Sequence, residues 1–131
     1  MIYQKLIRPL LFRLDPERAH HLAMDLARYT NSSDLLKSVA NRIYAVDDPG
    51  LTRDCDGIHF RNPLGIAAGF DKNGEIMEAL QAIGFGYLEI GSVTARPSPG
   101  NPLPRMFRLP DDRALINRMG LNNLGVDVVA R

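Results

Sequence analysis

A single cysteine, Cys55, stands in 131 residues, which excludes an intramolecular disulfide framework and a cysteine-rich zinc module and makes a reducing compartment the default. Excess charge of one sign is also missing, because 16 basic and 15 acidic side chains leave a formal net charge of +1. That balance gives no reason to expect a clustered basic face, so nucleic acid is not an expected partner. Long hydrophobic runs are absent as well. No stretch approaches the roughly 20 apolar residues that span a bilayer. Met1 to Phe12 is interrupted by Lys5, Arg8 and Pro9, and no small-residue cleavage site follows an unbroken apolar region. Neither a spanning helix nor a secretory signal is expected, and the chain should stay on the cytoplasmic side. His20 and His21 have no second cluster at metal-ligand spacing, and no Ser/His/Asp or Cys/His set suits nucleophilic catalysis, so no metal and no local catalytic nucleophile are expected.

What is present is an ordinary globular composition, 45% apolar and 24% charged. The length allows one core of roughly 100 to 150 residues but not a closed eight-stranded barrel of about 250. Charge divides the chain at Tyr44. Residues 1–44 carry seven basic and four acidic groups, and residues 45–131 carry nine and eleven, so the parts are +3 and −2. In the first part Ile2, Leu6 and Leu10, with Ile7, Leu11 and Leu14, recur at helical spacing, although Pro9 must kink or shorten that helix. Asp15-Pro16-Glu17 reads as a fresh helix start, with a capping carboxylate, a proline in the first turn and an acid near the positive end of the dipole. Asn31-Ser32-Ser33 breaks that helix, and Leu35 to Ile43 suggests a third before the turn at 47–50. A helical subdomain packing its apolar stripes on the main body, and an amphipathic module whose basic flanks meet anionic lipid, both fit this pattern.

From Leu51 the pattern changes. Leu51 to Cys55 and Ile58 to Phe60 flank Asp56-Gly57 as a hairpin. Leu64 to Ala68 reads as a buried strand, Gly69 to Gly74 as a polar loop, Glu75 to Ile83 as a helix and Tyr87 to Ile90 as another strand. Strand, loop, helix and strand predict parallel pairing with a right-handed crossover, and place Gly69 to Gly74 and Gly91 to Arg96 at strand C-terminal ends, where α/β folds bind ligands. Ala67-Ala68-Gly69 would let a flat or phosphorylated ligand approach the main chain, or would serve packing alone. Lys72 on the mouth loop is either a partner for a substrate carboxylate or cofactor charge, or a solvated surface lysine. Ser92 and Thr94 either meet a cofactor or satisfy backbone groups. Met106 to Leu109 and Ala114 to Asn117 suggest a second hairpin, with Asp111-Asp112 at its tip, and a last helix runs to Arg131. Asn117, Asn122 and Asn123 offer amide pairs suited to a pyrimidine-like ring, and serve equally as turn residues.

Six segments in order carry a resemblance: Asp15 to His20, Asn62 to Lys72, Gly84-Phe85-Gly86, Glu89 to Thr94, Pro104 to Leu109 and Ile116 to Gly120. Together they resemble the N-terminal part of the class 2, quinone-dependent dihydroorotate dehydrogenases, from about Tyr3 onward. The resemblance implies an α/β fold, the first part of a TIM (β/α)8 barrel in residues 45–131 preceded by a helical membrane- and quinone-access subdomain in residues 1–44. It implies FMN as cofactor, dihydroorotate and orotate as substrate and product, a membrane quinone as acceptor and a peripheral place on the cytoplasmic side of the membrane.

By the same resemblance Ala67, Ala68, Gly69, Phe70, Asp71 and Ser92 would meet FMN. Lys72, Asn117, Arg118, Met119, Gly120 and Leu121 would meet substrate, and His20 and Arg108 would lie near the quinone. Leu121 stands where many relatives have an aromatic residue, and Ser92 keeps the hydroxyl of a threonine seen in some. The family's catalytic serine lies downstream, so the 131-residue chain is expected to be inactive alone. Cys55, in the opening hairpin, is not its substitute. The competing reading is a noncatalytic membrane- or partner-binding module built from the same segment.

Overall fold

Pro9 has no amide hydrogen to give a helix, and the chain absorbs it by widening the turn before it. In the computed structural model, which describes residues 2–131, a π-helical turn over Tyr3–Ile7 runs into α1 (Arg8–Leu11), with the Arg8 amide donating to the Tyr3 carbonyl. The irregularity expected at Pro9 takes the form of that wide turn. The next helix, α2 (Pro16–Asn31), begins where the sequence indicates: Asp15 Oδ1 accepts the amides of Glu17 at 2.9 Å and Arg18 at 3.1 Å. In α3 (Asp34–Tyr44) the cap is Ser33, whose hydroxyl accepts the Leu36 amide at 3.4 Å.

Three two-stranded sheets follow, and among the described residues no sheet closes on itself. Strands β1 (Arg53–Cys55) and β2 (Ile58–Phe60) form the first hairpin. The parallel pair is short: β3 (Gly65–Ile66) and β4 (Tyr87–Leu88) align Gly65 with Tyr87 and Ile66 with Leu88. Between them lies α4 (Met77–Ala82), which starts two residues later than the hydrophobic spacing suggests. Asp71 is the reason. Its two carboxylate oxygens accept the amides of Glu75 at 3.0 Å and Ile76 at 2.9 Å, holding both residues in the loop. The strands β5 (Met106–Leu109) and β6 (Ala114–Asn117) pair antiparallel with Met106 opposite Asn117. The last helix, α5, spans Val126–Val129, so Arg131 lies beyond it.

The core forms where the N-terminal helices meet the β3-α4-β4 unit. Met24 of α2 packs with Ile76 and Leu80, and Ala27, Ile66, Phe85 and Leu88 surround them. Polar contacts fasten the same interface: Arg28 pairs with Glu75, Lys37 with Glu78, and Asn31 Oδ1 accepts the Ala79 amide at 2.9 Å. The turn into β4 leaves no room for a side chain at Gly86, where a Cβ would sit 2.2 Å from the Asn62 carbonyl oxygen.

Candidate functional site

The C-terminal ends of β3, β4 and β6 bring three loops to one edge of the molecule. Ala68 and Gly69 follow β3, Gly91 and Ser92 follow β4, and Arg118 to Leu121 follow β6. Together with Lys72 and Asn117 they line an open groove of about 340 Å³. Its floor is main chain. Gly69 has φ 99°, and a Cβ placed there would meet nothing within 4 Å, so the groove is open to a flat ligand over that residue. An adjoining cavity of about 360 Å³ takes in Ala67, Phe70, Met106 and His20 beside Ala68 and Gly69.

Lys72 shares the groove with Arg118 and is not a free surface lysine. Its Nζ donates to Asn122 Oδ1 at 2.5 Å and lies 3.1 Å from Met119 Sδ. Desolvation, and then the neighbouring Arg105 charge, hold the ammonium below the ordinary lysine range, with Glu17 opposing. Asn117 Oδ1 accepts the Met119 amide at 2.9 Å, a turn-forming bond that leaves its NH2 group for another partner. The Arg118 guanidinium donates to the Pro104 carbonyl at 3.0 Å and lies 5.6 Å from the Phe107 ring centre. Met119 is buried and Leu121 exposed.

Two of the expected contacts have structural work of their own. Asp71, 3% exposed, spends both oxygens on the start of α4 and lines neither the groove nor the adjoining cavity. Asn123 is buried, and its Oδ1 accepts the amides of Thr94 at 3.2 Å and Gly125 at 2.8 Å, tying the post-β4 segment to the start of α5. His20 is half-buried and meets the Phe70 ring edge-on with centroids 5.4 Å apart. Burial first, then the His21 and Lys72 charges, lower its pKa and favour the neutral ring. Arg108 is separated from it: the two line different cavities, and the Arg108 Nη1 donates to the Leu14 carbonyl at 2.6 Å.

The support behind the groove was not legible in the sequence. Arg105 donates from Nε to both Glu17 oxygens at 3.1 Å and from Nη2 to Oε1 at 2.6 Å, while Nη1 reaches the carbonyls of Pro99 at 2.7 Å and Asn101 at 3.0 Å. Asn101 and Ser98 then bond to Met119 and Asn123, so this buried pair braces the segment that carries the groove's far wall. Glu17 reads locally as a helix-dipole acid, and no short-range signal names a partner 88 positions away.

A family model described as dihydroorotate dehydrogenase matches residues 50–131. The chain is 55% identical over 96% of its length to a dihydroorotate dehydrogenase (quinone) of Roseiflexus sp. and covers 35% of that protein. It is 52% identical over its full length to the protein of the same name from Roseiflexus castenholzii. Among solved structures it resembles DHODH from Eimeria tenella in complex with ferulenol, with a TM-score of 0.74, 44% identity, and coverage of 88% of this chain and 28% of that one. The chain thus spans about a third of the length of the curated relatives it matches.

Proposed function

The chain belongs to the dihydroorotate dehydrogenase family, and from that premise we propose that it supplies the cofactor- and substrate-facing N-terminal part of a quinone-dependent dihydroorotate dehydrogenase of pyrimidine synthesis. The carrying observation is the meeting of Lys72, Ser92 and Asn117 on one groove floored by Ala68, Gly69 and Gly91. The open space over Gly69 suits FMN, which Ala67, Ala68, Gly69, Phe70 and Ser92 would hold. When bound, FMN supplies the two-electron acceptor that dihydroorotate oxidation requires.

This chain's residues bind and orient. Lys72, fixed by Asn122, presents a localised positive charge to an anionic substrate or to charge developing on the cofactor. Asn117 offers amide hydrogens to a ring carbonyl, and the Arg118 to Leu121 segment shapes the wall beside it. Asp71 contributes by setting the loop that carries Lys72. The proton of the reaction falls to a serine beyond residue 131, and the completed fold is a TIM barrel. Residues 1–44, +3 in charge, form an interfacial unit admitting membrane quinone, with His20 at its inner end and Arg108 lining a separate cavity beside α1. No helix among the described residues is long and apolar enough to cross a membrane, which accords with peripheral attachment.

The test is a chimera in which residues 1–131 are continued by the remaining length of the Roseiflexus relative. It should bind FMN, bleach on adding dihydroorotate and reduce a lipophilic quinone. Lys72→Ala should slow flavin reduction and Asn117→Ala weaken orotate binding, each by about 1 to 3 kcal/mol. Removing residues 1–11, which leaves Met24 and the Glu17–Arg105 pair in place, should depress quinone turnover far more than flavin reduction. A chimera that folds without binding FMN would instead favour a noncatalytic module.

A further inference from the structure

Lys72 stands between two cavities. It lines the groove, and it also lines an inner cavity of about 250 Å³ that reaches back to His20, His21 and Arg28 of α2 and to Glu75. A lysine carries three donors on a flexible stem, so its neighbours decide which space receives its charge. Both of its contacts are uncharged. Asn122 Oδ1 accepts from Nζ at 2.5 Å, and Met119 Sδ, a weaker acceptor, lies at 3.1 Å. Among the described residues no carboxylate lies within ion-pair reach of Nζ. The nearby acids are engaged elsewhere: Glu75 by Arg28, Glu17 by Arg105, and Asp71 by the amides that open α4.

Asn122 is itself held from both sides. Leu121 before it has φ 55°, and Asn123 after it exchanges backbone hydrogen bonds with Ser98 at 2.9 and 3.0 Å. The Gly100 backbone packs so closely that a Cβ there would sit 3.0 Å from the Asn122 Cβ. The carboxamide therefore reaches Lys72 from a clamped main chain. Its oxygen orients the ammonium and leaves the positive charge intact, whereas a carboxylate of the same shape would pair with that charge and cancel it. We infer that Asn122 is a positioning residue for Lys72, holding the ammonium at the groove with its charge uncompensated, ready for the carboxylate of the substrate. The inference rests on the reading of Lys72 as a substrate-facing cation and names the neutral side chain on which that role depends.

Two measurements test it. The chain has three lysines, Lys5, Lys37 and Lys72, so carbon-13 NMR of the ε-carbons in the full chain follows the Lys72 titration directly, and Lys72→Ala assigns its signal. Asn122→Leu removes an acceptor for the charged form and should move the midpoint to lower pH, while Asn122→Asp should move it to higher pH. The charged groups facing Lys72 from neighbouring elements, Glu17, His20, His21 and Arg28 on α2 with Glu75, Arg105 and Arg118, are the same in every variant. In the Roseiflexus chimera loaded with FMN, both substitutions should weaken orotate at neutral pH by about tenfold, the first by releasing the ammonium and the second by cancelling its charge. The alkaline limb of orotate affinity should divide in the same way, down for leucine and up for aspartate. Bound FMN checks that each variant folds. Midpoints and limbs that stay in place, or move together, would overturn the positioning role, because lost packing alone does not separate the two variants. Orotate affinity unchanged by both, with Lys72→Ala still weakening it, would overturn this inference and leave the reading of Lys72 intact. Indifference to Lys72→Ala as well would overturn that reading and the inference with it.

Discussion

Replacing Arg105 by methionine would strand the Glu17 carboxylate at 6% exposure with its guanidinium partner gone. Both side chains of the pair are nearly covered, 11% exposed for Arg105 and 8% for Glu17, so solvent screens it little. Breaking a buried pair from one side costs about 3 to 5 kcal/mol, a large part of the about 5 to 15 kcal/mol that holds a domain together. The double replacement Glu17→Met with Arg105→Met leaves no buried charge and should be less damaging than either single change, giving a coupling larger than one single cost, about 3 kcal/mol or more. Urea unfolding of the four proteins, followed by far-UV circular dichroism, measures the cycle.

Acid should act on the same pair. The Arg105 hydrogen bonds, partly opposed by burial, hold the Glu17 carboxyl below its ordinary value of 4.5. Its folded pKa is therefore depressed, so its contribution is complete above about pH 4.5 and is lost as pH falls through the lower folded value. Arg105→Met should abolish that acid-dependent loss. A single-mutant cost below about 1 kcal/mol at neutral pH, with strictly additive effects, would refute the reasoning and class the contact with exposed ion pairs.

The neutral ring of His20 gives a second pH dependence, of a different window. Its pKa lies below the ordinary 6.5 in the folded chain, so the unfolded state binds more protons between the two values and stability falls as pH drops below about 6.5. His20→Gln should flatten the Tm against pH in that interval, and an unchanged slope would contradict the burial argument. Gly86→Ala places a methyl 2.2 Å from the Asn62 carbonyl oxygen, a backbone atom that cannot swing aside. It should destabilise by about 3 kcal/mol in the same urea assay, whereas a neutral substitution would mean that the turn into β4 is slack.

Local chemistry was legible wherever neighbours in sequence decide the structure. Asp15 caps α2, the β5–β6 hairpin turns around residues 110–113, and the β3–β4 pairing is parallel. What escaped depends on side chains meeting from distant positions. The later start of α4 comes from Asp71, which competes for the amides that periodicity alone assigns to the helix. In the groove, Lys72 could be marked as a cation, but its fixing by Asn122 spans 50 positions and the bracing by Glu17 and Arg105 spans 88. Arg108 carried a family expectation, but nothing local to it signals that Phe12 sets it beside Arg8.

The partners of α4 also set a timetable for synthesis. Both α2 and α3 rest on this helix, and the latter is finished at Tyr44 while the seat beneath it is complete only at Ala82. At about 5 to 20 residues per second, the intervening 38 positions take about 2 to 8 seconds to translate. Through that interval the N-terminal helices have been made but their docking surface has not, so their apolar stripes are open first to chaperones or a bilayer and only later to their own protein.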